Sequence, residues 1–147
     1  MKPLLTSTLA ILVACTPAPY QPQIMTSGDC QLVWHGESEA ATNTCPLPDR
    51  VKAAIIVLAK APTLEAYQQQ MAALESFDFE GEQAILALGF TESILQDGYH
   101  LSPREAAALL KGNAFTLMLM NASGTVLMQS HQPVSAQALV DTLNPHP

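Results

Sequence analysis

The chain has 147 residues, which bounds it to one domain of ordinary size once any export segment is set aside. Hydrophobic residues make up 48% of it and charged residues only 13%, so composition excludes intrinsic disorder for the bulk of the chain. Thirteen Asp and Glu against six Lys and Arg leave a formal net charge of −7 with no basic cluster anywhere, a surface that repels phosphate backbones and excludes nucleic acid as a partner.

Met1-Lys2 makes a minimal positive start, and residues 4–14 form an apolar run as long as a signal-peptide core but too short to span a bilayer. The run ends in Leu12-Val13-Ala14-Cys15, which resembles the lipobox of bacterial lipoproteins: a branched residue, two small ones, then the cysteine that is acylated. The resemblance implies a signal peptide over 1–14, lipidation of Cys15, and a membrane held through the lipid anchor. Each buried acyl methylene contributes about 0.8 kcal/mol, and stable anchoring takes more than one chain. Thr16 stands where Asp would signal retention at the inner membrane, which implies the outer membrane, with the domain facing the periplasm. Residues 15–29 hold Pro17, Pro19 and Pro22 and few large apolar groups, so they are expected to form an extended tether.

With Cys15 committed to lipid, Cys30 and Cys45 remain, and an even pair in an exported chain is most simply a disulfide. It would close the segment 30–49, whose interior has little to bury, and stabilise it by about 3 kcal/mol in the chain-entropy model. The alternative is a thiol oxidoreductase or metallochaperone using Cys30 and Cys45, with His35 as a third metal ligand. Metal sites usually show close Cys-x-x-Cys spacing, and redox pairs sit at a helix N-terminus that lowers a thiol pKa. This sequence shows neither feature, so the structural reading is favoured.

From Arg50 the pattern changes. Residues 53–59 are continuously apolar, with Ile55, Ile56 and Val57 at their centre, as in a strand buried on both faces. Leu64, Tyr67, Met71 and Leu74 then recur at helical spacing, with Gln68 to Gln70 and Glu75 largely off that stripe. After an acidic turn at 78–82, residues 84–88 form a second short apolar run, expected to pair parallel with the first. Residues 89–101 read as irregular. Ser102-Pro103-Arg104-Glu105 combines an N-cap serine, proline at the first helical position and a capping-box glutamate, and the helix should stop at Gly112. Residues 115–120 and 125–130 flank Asn121-Ala122-Ser123-Gly124 as a β-hairpin, and Ser135 caps a last helix that buries Leu139, Val140 and Leu143.

This order, β-α-β-α-β-β-α with a mixed sheet, is that of the α/β thioredoxin-like fold and covers the domain 50–147. The chain from Arg50 to Leu143 resembles a family of short thioredoxin-like domains of unknown function in exported bacterial proteins. The resemblance is carried by Arg50-Val51, Phe115-Thr116-Leu117, the glycine-centred turn and Val134-Ser135, although the chain closes in Asn144-Pro145-His146-Pro147 rather than the basic ending of that family. Redox thioredoxins keep Cys-x-x-Cys just after the first core strand, and the matching place here is Ala61-Pro62-Thr63-Leu64, without sulfur. The cis proline that faces that motif is replaced by Gly112-Asn113-Ala114.

No catalytic constellation and no cofactor motif is expected. Met118, Met120 and Met128 contain thioethers suited to copper(I), but a turn pairing Met120 with Thr125 puts Met118 and Met120 on one face with Leu127 and Met128 on the other, which favours core packing over a metal site. His35, His100, His131 and His146 are scattered and read as loop or surface histidines, and Asn121-Ala122-Ser123 reads as turn chemistry rather than a glycosylation site. The expected function is that of a cell-envelope binding module, whose ligand is a protein or a small molecule.

Overall fold

The computed structural model describes residues 24–25, 31–33, 44–46, 50–93 and 98–145. Two short strands, β1 (Gln31–Val33) and β2 (Thr44–Pro46), pair parallel with Gln31 opposite Thr44 and Leu32 opposite Cys45. The main body follows: β3 (Ala53–Ala59), α1 (Glu65–Leu74), the one-turn α2 (Phe79–Glu82), β4 (Ala84–Phe90), β5 (Tyr99–His100), α3 (Pro103–Leu110), β6 (Phe115–Asn121), β7 (Val126–Ser130) and α4 (Ala136–Leu143).

Every residue of β3 is buried, because the strand lies at the centre of a five-stranded sheet of order β5-β4-β3-β6-β7. It runs parallel to β4, with Ala53 opposite Ala84, and antiparallel to β6, with Ala53 opposite Asn121. Side chains alternate across a strand, so Ala54, Ile56 and Leu58 enter one core with Ala106, Leu109 and Leu110 of α3. Ala53, Ile55, Val57 and Ala59 enter the other, with Leu74 of α1 and Leu139 of α4. A parallel β-α-β unit, a helix on the opposite face, then an antiparallel hairpin and a closing helix make this a thioredoxin-like α/β fold with a mixed sheet.

The local signals in the sequence are realised as hydrogen bonds. Ser102 Oγ accepts from Glu105 N–H at 3.1 Å and Ser135 Oγ from Ala138 N–H at 3.1 Å, each satisfying a donor that the first helical turn leaves without a partner. Asn121 Oδ1 accepts from Ser123 N–H (3.1 Å) and Thr125 N–H (2.9 Å), which sets the hairpin turn. α3 ends at Lys111 and Gly112, both left-handed at φ 51° and 88°.

Four features depart from the expectation. β4 runs to Phe90, beyond residue 88, because Thr91 N–H and Glu92 N–H still donate to Ala59 and Lys60 across the ladder. Within the stretch read as irregular, β5 adds a parallel edge strand, and His100 exchanges both backbone hydrogen bonds with Met25. Ile24 is fully buried in the α3-side core, so this part of the stretch expected to be a tether belongs to the folded body, where its large side chain loses contact with water. The hairpin register also slips. A bulge between Leu119 and Met120 sets Met120 opposite Val126 and leaves Leu127 exposed instead of beside Met118 and Met120.

At Gly89 the sheet, α3 and Leu101 pack close together. A Cβ there would lie 2.9 Å from Leu58 Cδ2 and 3.2 Å from the Cβ atoms of Ala106 and Leu101. Gly89→Val should therefore destabilise the fold by about 1–3 kcal/mol through overpacking. Urea unfolding followed by circular dichroism measures this, and a stability unchanged within about 0.5 kcal/mol would mean that α3 has room to move away.

Candidate functional site

The end of the sheet where β3 hands over to α1 is the place at which thioredoxin folds carry their chemistry. Lys60 N–H donates to Ala114 O (3.2 Å) and Glu92 N–H to Lys60 O (2.9 Å), which holds the start of the loop between β4 and the approach to β6. The loop continues as Ala61-Pro62-Thr63-Leu64, where Leu64 takes the N-cap position of α1 and supplies no side-chain cap. In the first turn of α1 the Tyr67 ring meets Phe90 edge-on, with centroids 4.9 Å apart at 74°, and burial pushes the phenol pKa above its ordinary value. The residues facing the loop from before β6 contain no cis peptide, as is true of all described residues. Among the described residues this end thus presents methyl, pyrrolidine and aromatic surface with the Thr63 hydroxyl, and no thiol.

One polar pair at this end escaped sequence reasoning. Thr116 is fully buried in β6, and its Oγ1 shares a 3.0 Å hydrogen bond with His131 Nδ1. A threonine beside an imidazole has the separation of a nucleophile and its base. With no exposed surface, however, Thr116 offers its oxygen to no substrate, and the pair serves to tie β6 to the segment after β7. A lone threonine within an apolar strand was the only signal for it.

The cysteines and histidines do not converge among the described residues. Cys45 lies in β2 opposite Leu32, whereas Cys15, Cys30, His35 and His146 lie outside the described residues. His100, expected on the surface, is buried, and its Nδ1 donates to Gly98 O at 3.0 Å because β5 carries it into the sheet. Met118 and Met120 face the α3-side core and Met128 the opposite one, as the hairpin pattern predicts. Among the described residues no group of three or more His, Cys, Asp or Glu side chains could hold a metal ion. No described helix is long and apolar enough to cross a membrane.

At the other end of the sheet is a pocket of about 310 Å³. Lys52 lines it from just before β3, Glu82 from the end of α2, and Leu127 from the bulge in β7. Asn121 lines it from the end of β6, and Thr142, Leu143, Asn144 and Pro145 complete the wall where α4 ends. Asn144 Nδ2 donates to Glu82 Oε1 at 2.8 Å, joining α4 to α2 across the rim.

No family model matches the chain, and no curated protein matches it. Solved structures similar to it include the mitochondrial 2-Cys peroxiredoxin of Plasmodium falciparum, with a TM-score of 0.48 at 11% identity over 85% of this chain and 88% of that one. The reduced 2-Cys peroxiredoxin of Plasmodium vivax has a TM-score of 0.44 at 12% identity over 85% and 91%. The fold assignment rests on this chain's own strand order and not on these likenesses.

Proposed function

We propose that this protein is a cell-envelope lipoprotein whose thioredoxin-like domain is a binding module without thiol chemistry at the thioredoxin position. The observation that carries this reading is Ala61-Pro62-Thr63-Leu64 at the junction of β3 and α1, where a redox thioredoxin would hold two cysteines. The fold supplies a scaffold, and function has to be sought in the sites it presents. Insulin reduction with dithiothreitol and thiol-dependent peroxide consumption test the proposal. Neither should exceed the rate without protein. Turnover that disappears in Cys30→Ser or Cys45→Ser would replace the binding module with a thiol oxidoreductase.

The membrane address rests on Leu12-Val13-Ala14-Cys15. Cys15→Ala should abolish labelling by a radioactive fatty acid and release the protein from the membrane fraction, because a diacyl or triacyl cysteine supplies the apolar area that holds it there. Tight membrane association of the alanine variant would defeat the lipid-anchor reading. Density fractionation of the wild-type protein then checks the outer membrane expected from Thr16.

Cys30 and Cys45 are proposed to form a structural disulfide. This reading rests on the even pair of cysteines that remains once Cys15 carries lipid in an exported chain. Thiol trapping of protein purified under oxidising conditions should find neither sulfur free. Replacing both by serine should cost about 2–4 kcal/mol while the sheet around β3 stays folded. Free thiols at both positions would remove the disulfide from the account.

A further inference from the structure

We infer that the pocket between Lys52, Glu82 and Leu127 binds a short apolar zwitterion, of the class of a free aliphatic amino acid or dipeptide. This deepens the binding-module reading and rests on it. The Lys52 side chain has no hydrogen bond or ion pair among the described residues, so its ammonium is available to an anion. Glu82 commits Oε1 to Asn144 and keeps its second oxygen for another donor. No ion pair joins Lys52 to Glu82 although both line one pocket, and that leaves two opposite charges held apart.

The third element is apolar. Leu127 is the large hydrophobic side chain left exposed among the described residues, at 40%, and the bulge in β7 is what puts it there. With Leu143 and Pro145 it forms a hydrocarbon wall beside the two charges. A simple anion would meet Glu82, a simple cation would meet Lys52, and a neutral apolar molecule would leave both charges facing hydrocarbon. A zwitterion matches all three features: carboxylate to Lys52, ammonium to Glu82, aliphatic side chain to Leu127 and its neighbours. The volume of about 310 Å³ is at the small end of ligand pockets, which limits the guest to one or two residues.

The test is calorimetric titration of the full chain in detergent with L-leucyl-L-leucine. Saturable binding is expected, about tenfold weaker in Lys52→Ala, where one charge-assisted hydrogen bond is lost. Leu127→Ser should weaken it as well, and both side chains are exposed, so thermal melting should be unchanged. Capped ligands probe the same chemistry without altering the protein: N-acetylation and C-terminal amidation should each weaken binding. Absence of saturable binding at millimolar dipeptide, or equal affinity for free and capped forms, would overturn the assignment. Failure here, with no thiol turnover detected, would leave the domain a binding module with another ligand, whereas thiol turnover would remove the module reading itself.

Discussion

Gln70→Ala should lower the unfolding free energy by about 2–4 kcal/mol. Gln70 lies in α1 with no exposed surface, and its carboxamide makes a closed pair with the backbone of Val134: Oε1 accepts from Val134 N–H at 2.8 Å and Nε2 donates to Val134 O at 2.9 Å. Val134 directly precedes Ser135, the residue that caps α4, so this one side chain sets the position of the last helix against the first. Removing it leaves a backbone donor and a backbone acceptor without their partner and opens a void. Each such loss costs about 1–3 kcal/mol where water does not replace the bond. The neighbouring Gln69 provides the contrast. It is exposed and bonded only to Glu65 one turn away, so Gln69→Ala should change stability by less than about 0.5 kcal/mol. Urea unfolding by far-ultraviolet circular dichroism measures both, and equal small effects would show that the Gln70–Val134 pair contributes nothing.

Leu119→Ala should cost about 2–5 kcal/mol, among the largest losses from a single side chain. Leu119 is fully buried in β6, opposite Ile55 of β3 on one side and Met128 of β7 on the other. It belongs to the core under α1 and α4, next to the bulge that re-aims Leu127. Hydrogen bonds of the ladder prevent the strand from collapsing into the space, so both the transfer free energy and the cavity term are lost. Leu127→Ala, one residue from its cross-strand partner Met128 but exposed, should change stability far less. A comparable loss in the two variants would contradict the register.

The contrast between these two residues explains how much of the molecule was legible beforehand. Leu119 reads as core from its place in an apolar run, and the strand order follows from the alternation of apolar runs with capped helices. Gln70 reads as surface, because it sits among polar neighbours in a helix and its partner is 64 residues away. The thioredoxin position could be examined from sequence alone, since the loop after the first core strand is a local feature. The pocket at the opposite end could not. Lys52, Glu82, Leu127 and Asn144 come from four separate segments, and no spacing between them is regular.

What the sequence by itself determined is therefore a set of local features: the buried strand β3, the Ser102 and Ser135 caps, the Asn121 turn, and the absence of sulfur between β3 and α1. These follow from interactions within a few residues, where periodicity and side-chain hydrogen bonding decide the backbone. Only the tertiary structure decided that Ile24 belongs to the core, that Gln70 and Thr116 are buried with polar partners, and that a bulge turns Leu127 outward over a pocket. Each of these depends on which distant segment fills a given space or meets a given donor, and close packing settles that only when the whole sheet and its helices are assembled.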